Sequence, residues 1–380
     1  MAFGDKANLV SYGVKKMNPK RVVVAMSGGV DSSVAAGLLI EQSYEVIGIT
    51  MNLFPLPKEY CLDRDLKSCC GRGAIEDANR VASKLGISHY VLNLKDSFED
   101  LVVSNFLEEY SRGRTPNPCI RCNQFIKFDV LMERARKIGA SCIATGHHAR
   151  IVQDSKSGHF YLKKGMDKDK DQSYFLYTMT QDQLSHTLFP VGLFTKSEIR
   201  KRAQEWGLPV AERPESQEIC FIPNNDYVDF LKKRKPEAFR SGPIVNMEGQ
   251  VLGHHSGIIH FTVGQRRGLG IAAPHPLYVL EINTPRNEIV VGPNDFLYKK
   301  DLLADQINWI SGDKFVSPGP AKARIRYKHK EAKALVVPLD SGKIRVEFEK
   351  PQRAITPGQA VVFYDGDVVL GGGTISSSEQ

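Results

Sequence analysis

The sequence predicts an α/β protein in three parts: an N-terminal doubly wound parallel sheet, a small mixed domain and a C-terminal β-barrel. Three observations predict it. Between Arg21 and Thr145, short apolar or β-branched runs alternate with helical stretches, the pattern of a parallel sheet covered on both faces. The first of these runs breaks at Ser27-Gly28-Gly29 and passes straight into a helix. Beyond Pro243, short alternating strands with frequent Gly and Pro take over, which suits barrel-like β domains. The expected divisions are an extension over 1–20, the parallel-sheet domain over 21–208, a central mixed domain over 209–292 and the barrel over 293–380.

Each element has its own local reason. Val22 to Val24 is a β-branched run and reads as a short buried strand. Val30, Val34 and Leu38 then recur at helical spacing, and Tyr44 to Met51 reads as a second strand. An amphipathic helix from Ala74 to Leu85 is closed by Gly86, and Tyr90 to Leu94 makes a third strand. A helix from Phe98 to Tyr110 ends before Thr115-Pro116-Asn117-Pro118, whose prolines forbid continuation. Phe128 to Ile138 is helical until Gly139, and Cys142 to Thr145 is a fourth strand, ending at Gly146-His147-His148. Asp167 to Asp171 reads as a solvated charged turn or as part of a site. Ser197 to Trp206 is a helix stopped by Gly207; Leu277 to Ile282 and Glu288 to Val291 are strands of the β region. Ser27, Met51 and Gly146 fall at carboxyl ends of predicted parallel strands, where such sheets bind ligands, so one nucleotide pocket is expected there.

Strand, glycine turn and helix together aim backbone N–H groups and the positive end of a helix dipole at an anion. Gly28 and Gly29 let phosphate oxygens approach the backbone, Ser27, Ser32 and Ser33 offer hydroxyls, and Asp31 is placed to help hold magnesium. An ordinary phosphate loop needs Gly-Lys-Ser or Gly-Lys-Thr, but the only Gly-Lys pair, Gly342-Lys343, is followed by Ile344. Ser-Gly-Gly-Val-Asp-Ser instead resembles the pyrophosphate loop of enzymes that split ATP between its α and β phosphates.

The chain has 380 residues, 42% hydrophobic and 25% charged, with a formal charge of +8, which favours a polyanionic partner. No apolar run approaches membrane-spanning length, and residues 1–20 carry four lysines without an apolar core, so a cytoplasmic protein is expected. Lys322, Arg324, Arg326, Lys328 and Lys330 occupy alternate positions; on a strand they would form one cationic stripe suited to a phosphate backbone. Gly264-Gln265-Arg266-Arg267-Gly268 is a second candidate phosphate contact. Seven cysteines without a secretion signal argue for reduced thiols. Cys119-Ile120-Arg121-Cys122, read as a proline-bounded loop, can be redox-active, hold half a zinc site or ligate iron. Cys142 reads as strand packing, Cys220 as either packing or chemistry, and Cys61, Cys69 and Cys70 carry no assignment.

The glycine loop, Thr115 to Asn123, Thr145 to Arg150 and Ser216 to Ile222 occur in an order that resembles the tRNA-specific 2-thiouridylase family over roughly Arg21 to Gly373. The resemblance implies that ATP adenylates the C2 oxygen of uridine 34, the wobble base of tRNAs for Lys, Glu and Gln, and that enzyme-held sulfur then displaces AMP. It carries the ATP site over to Ala25, Met26, Ser27, Gly28, Gly29, Val30, Asp31, Ser32, Met51 and Gly146. Base contacts carry over to Asn117, Pro118 and Cys119; other tRNA contacts to His147, Lys170, Asp171, Gln172, Arg326, Tyr327 and Gln359. Cys122 matches the first catalytic cysteine and Cys220 the one that carries a persulfide. A cysteine desulfurase, directly or through a sulfur relay, is the implied donor.

One departure matters. Many members have aspartate where this chain has Cys119. Cys119, Cys122 and Cys220 could hold a [4Fe–4S] cluster with one open iron, which the three-cysteine pattern favours. Alternatively Cys220 carries a persulfide that Cys122 resolves as a disulfide. Competing readings are an amide-forming ATP pyrophosphatase, a non-catalytic RNA-binding protein and a zinc-stabilised structural protein.

Overall fold

The computed structural model describes residues 20–54, 72–214, 219–222, 226–310, 312, 315 and 317–377. The expected α/β architecture with a terminal barrel is what the chain adopts. Cys61, Cys69, Cys70, the stretch 215–218 and most of the expected N-terminal extension lie outside the described residues.

The first sheet is built around β1 (Arg21–Ala25), flanked by β2 (Glu45–Asn52) and β4 (Cys142–Ala144). Beyond these lie β3 (Ser88–Asn93) and β7 (Thr187–Leu188), giving the order β3-β2-β1-β4-β7 with every pair parallel. Alternate residues of β1 serve two cores. Val22 and Val24 pack into one with Val34, Ala35 and Leu38, while Val23 and Ala25 pack into the other with Phe98, Phe106 and Ile126. A strand covered on both faces must be apolar throughout, which is why no polar residue interrupts Val22–Ala25.

α1 (Val30–Glu41) leaves β1 through the glycine loop, and α2 (Arg72–Leu85) follows β2. The third helical rod is α3 (Lys95–Phe98), a π-helical stretch (Glu99–Val103) and α4 (Ser104–Ser111), so it begins before the expected Phe98. The next rod overturns an expectation. It starts at α5 (Pro118–Arg121), continues through a π-helical stretch (Cys122–Val130) and ends in α6 (Leu131–Lys137). Cys119 and Cys122 therefore stand on a helix and not in a loop. Asn117 is its N-cap, with Oδ1 accepting from Ile120 N–H at 3.3 Å, and Pro118 takes the first helical position, where its missing N–H costs nothing.

β5 (Ala149–Gln153) and β6 (Phe160–Lys164) form a hairpin that pairs with the last strand of the chain. α7 (Gln181–Ser185) precedes β7, and α8 (Lys196–Glu205) carries a reciprocal cap between Thr195 and Glu198. After α9 (Tyr227–Arg234), the central sheet consists of β8 (Gly242–Val245), β9 (Val251–His255), β10 (Tyr278–Asn283) and β11 (Glu288–Gly292) in the order β10-β11-β8-β9.

The barrel comprises β12 (Tyr298–Trp309), β13 (Gly319–Arg324), β14 (Ala332–Pro338), β15 (Ile344–Arg353), β16 (Ala360–Asp365) and β17 (Val368–Ser377). Their order is β12-β15-β14-β13-β16-β17, and pairing of β12 with β17 closes the ring. The expected cationic stripe does not form. β13 ends at Arg324, and Arg326, Lys328 and Lys330 lie in the turn beyond it, so strand alternation no longer sets their directions. Arg324 itself turns inward to Asp171.

Candidate active site

The parallel order reverses between β1 and β4, and the crevice outside their carboxyl ends is where an open α/β sheet receives ligands. Ser27-Gly28-Gly29 occupies that point. Gly28 has φ +69° and lies so close to α2 that a Cβ would come within 2.4 Å of the Ala74 carbonyl oxygen. Gly146, at the end of β4, is equally tight: a Cβ would fall 2.5 Å from Ser32 N and 2.6 Å from the Asp31 carbonyl carbon. Inside the loop, Ser27 N–H donates to Ser32 Oγ at 3.1 Å, and the Ser32 and Ser33 hydroxyls donate to the Gly29 carbonyl at 3.1 and 2.8 Å. No side chain caps α1 at Gly29, so its first-turn N–H groups face the crevice without a capping acceptor. Ala25, Met26, Val30 and Met51, also expected at this site, are buried, whereas Ser27 is exposed.

Asp31 is the loop's one acid. Lys196 Nζ lies 2.7 Å from each of its oxygens, and His148 Nε2 lies 3.2 Å from Oδ1. Burial pushes the Asp31 carboxyl up, but the His148 hydrogen bond and the Lys196 charge outweigh it and leave the group below the usual carboxylate range. A magnesium role for Asp31 therefore requires Lys196 to give up part of its hold. Arg213 adds a second cation: it donates to the Gly28 carbonyl at 2.9 Å and pairs with Asp77 on α2.

The sequence reading missed both cations. Lys196 offered a signal, since a cation at the first helical position opposes the helix dipole and implies an anion waiting nearby. Arg213 offered none.

Cys119 is exposed, while Cys122 and Cys220 are half-buried against the same hydrophobic core, where Phe221 packs among Phe98, Phe106 and Phe230. Among the described residues, no three His, Cys, Asp or Glu side chains stand together as a metal-binding group.

The residues expected to contact tRNA fall into different settings. Asp171 is buried; its carboxylate accepts from Gly165 N–H, Ser173 N–H and Ser173 Oγ and pairs with Arg324 at 3.2 Å, so in the free protein its contacts are internal rather than those of a solvated turn. His147 is buried too, between Phe128 and Phe189. Burial, with the charges of Lys127 and His148, holds its imidazole well below the usual range. A neutral ring protonated on Nδ1 suits its partners, Thr145 Oγ1 at 2.6 Å and Lys127 Nζ at 3.5 Å. Lys170 is half-buried, and Gln172 Oε1 accepts from His148 N–H at 3.0 Å. Arg326, Tyr327 and Gln359 are half-buried on the barrel, and Pro118 is buried under Cys119.

Comparison with known proteins gives this geometry a context. Residues 20–224 match the family model described as tRNA methyl transferase HUP domain. Residues 228–293 match a tRNA methyl transferase PRC-barrel domain and 299–375 an aminomethyltransferase β-barrel domain. The tRNA-specific 2-thiouridylase MnmA of Heliobacterium modesticaldum is 53% identical over 356 residues, covering 93% of this chain and 92% of that one. The protein of the same name from Acetivibrio thermocellus is 51% identical over 363 residues, covering 94% and 100%. The chain belongs to the tRNA-specific 2-thiouridylase family. A solved 4-thiouridine synthetase–RNA complex with bound ATP is 18% identical, with a TM-score of 0.34 over 57% of this chain and 51% of that one, a likeness too loose to carry an argument. The matched model's description speaks of methyl transfer, but transfer from a sulfonium donor needs neither a phosphate cradle nor paired thiols. For a thiouridylase, both features have a use.

Proposed function

We propose that this protein is an ATP-dependent tRNA 2-thiouridylase acting on uridine 34 of tRNAs for Lys, Glu and Gln in the cytoplasm. The observation that carries the reading is the uncapped α1 N-terminus at the sheet's switch point, in a chain that also bears Cys122 and Cys220 on one core. The loop binds the phosphates of ATP through backbone N–H groups and the Ser27 hydroxyl. Magnesium arriving with ATP supplies charge neutralisation on the leaving pyrophosphate, and Asp31 with the Ser27 and Ser32 hydroxyls are the loop side chains that would hold it. The uridine C2 oxygen attacks the α-phosphorus, the bond to the β-phosphate oxygen breaks, and pyrophosphate departs.

Sulfur transfer then needs only this chain's thiols and an external donor. A desulfurase or relay protein loads Cys220 as a persulfide. Its terminal sulfur attacks C2, and the C–O bond breaks with AMP as leaving group. The Cys122 thiolate attacks Cys220 Sγ, forming a Cys122–Cys220 disulfide and releasing 2-thiouridine with the electron pair on sulfur; a small-molecule or protein thiol reduces the disulfide for the next turn. We favour this persulfide route over a [4Fe–4S] cluster because its steps balance with Cys122, Cys220, an external sulfur donor and a reducing thiol alone.

The test is incubation with ATP, magnesium, unmodified tRNA, cysteine and a desulfurase, followed by nucleoside analysis. The expected outcome is 2-thiouridine with one AMP and one pyrophosphate per base, abolished by Cys122→Ser or Cys220→Ser, in protein purified anaerobically without iron. Pyrophosphate release without thiolated base, or an absolute need for iron, would sink the reading.

A further inference from the structure

The barrel residues that the resemblance assigns to RNA do something else in the free protein. Gln359 Nε2 donates to the Thr115 carbonyl at 2.9 Å, and Thr115 N–H donates to the Pro357 carbonyl at 2.8 Å. Between them, Gly358 has φ +89°, and a Cβ there would come within 2.9 Å of Thr115 N and 3.0 Å of its carbonyl carbon and oxygen. The barrel turn is thus pressed backbone to backbone on Thr115. It is itself anchored to β17, since Gly358 N–H donates to Ile375 O at 2.9 Å and Ile375 N–H to Gln359 O at 2.8 Å. Thr115 is also held from the central domain, its hydroxyl lying 3.2 Å from Thr262 Oγ1.

The chain beyond Thr115 is stiff. Pro116 and Pro118 fix their own φ and restrict the residues before them, so the position of Thr115 passes to the cysteine helix with little slack. A second contact reaches the same helix farther along. The Tyr327 ring lies 4.5 Å from that of Phe175, whose carbonyl accepts from Asn123 Nδ2 at 3.1 Å. Asn123 is buried beside Cys122, and its Oδ1 has no partner, so Phe175 provides its one side-chain hydrogen bond among the described residues.

We propose that the barrel is a two-point clamp that positions the cysteine helix, with Gln359 acting through Thr115 and Tyr327 through Phe175 and Asn123. Gln359 and Tyr327 are positioning residues for Cys122. RNA that engages either side chain competes with its internal contact, so docking on the barrel changes the hold on the thiols. Only this RNA half rests on the thiolation reading; the positional half concerns the protein alone.

The experiment separates the two. In the full-length free protein, iodoacetamide alkylation of Cys122 is followed by peptide mass spectrometry, and hydrogen exchange is measured at the Thr115 amide. In Gln359→Ala, Gln359→Glu and Tyr327→Ala, Cys122 alkylation should quicken about three- to tenfold, the factor that one lost hydrogen bond or ring contact gives. Thr115 exchange should quicken in the Gln359 variants alone. In thiolation assays, kcat should fall by a larger factor than KM for tRNA rises. Gln359→Glu keeps the side chain's size but replaces the donor by an acceptor, so it guards against simple loss of packing. Wild-type alkylation and exchange in all three variants, with only KM altered, would reduce these residues to plain RNA contacts and overturn the clamp. Absence of thiolation in the unmutated protein would instead overturn the function and leave the alkylation and exchange results standing.

Discussion

A carboxylate inside the proposed phosphate site is a paradox at the level of single residues: Asp31 heads α1, where the proposal also seats triphosphate charge. Lys196, 165 positions away, resolves it by meeting both carboxylate oxygens. Removing one member of a buried pair costs about 3–5 kcal/mol because the other charge is stranded. Asp31 keeps 29% of its side-chain surface, so Lys196→Met should cost less, about 2 kcal/mol by the same principle discounted for solvent screening. Asp31→Asn with Lys196→Met should regain most of that loss, since no bare charge remains. Urea midpoints at neutral pH would check both, and a single variant as stable as the wild type would refute the pairing argument. The pH matters: a carboxyl held below its unfolded pKa stabilises fully above that pKa and loses the contribution as pH falls through the folded value. The effect is therefore complete at neutrality and fades only in acid.

At the level of elements, the loop, α1 and β4 meet at Gly146 with no room for a side chain. Its missing Cβ leaves room for the Asp31 and Ser32 backbone, which cannot swing aside as a side-chain tip can. Gly146→Ala should displace the first turn of α1 and weaken ATP binding at least tenfold, about 1.4 kcal/mol or more, while costing about 1–3 kcal/mol of stability as overpacking does. Equilibrium binding of a fluorescent ATP analogue, beside a thermal melt, would measure both; unchanged affinity would mean that the loop adapts. This junction was legible in the sequence because a β-branched strand, a glycine turn and an apolar helix stripe are local signals. The cysteine helix was not, because Thr115-Pro116-Asn117-Pro118 reads as a stop when Asn117 and Pro118 are in fact a cap and a first helical residue. Alternate cations from Lys322 to Lys330 imitated a strand, but the chain turns after Arg324. Asp171 looked solvated within its charged run; its partner Arg324 lies 153 residues on, beyond any local signal.

For the whole molecule, the barrel is not an appended domain hanging on a linker. The hairpin β5–β6, from the N-terminal half, extends the barrel's sheet through β17. Arg150 pairs with Asp367 at 2.6 Å, and Tyr174 OH donates to the Ala360 carbonyl at 2.9 Å. A tRNA reaching the cysteine helix thus meets a barrel whose placement is already set. The turn bearing Arg326 and Tyr327 also carries Lys328 and Lys330, both exposed, with exposed Lys322 on the adjoining strand. These cations lost their stripe but kept their location, and phosphate contacts need charge near the backbone more than strict alternation. Each phosphate neutralised releases counterions, so the slope of log affinity against log salt should fall by about 0.7–0.9 per contact removed. Lys328→Ala with Lys330→Ala should therefore flatten that slope by about 1–2 and weaken tRNA binding alike across tRNA species, as loss of backbone contacts does. Filter binding of unmodified tRNAs between low and physiological salt would measure it. A slope equal to the wild type's would move the RNA path off this turn and toward the exposed Arg266 and Arg267 of the central domain, whose own double substitution should then take over the loss.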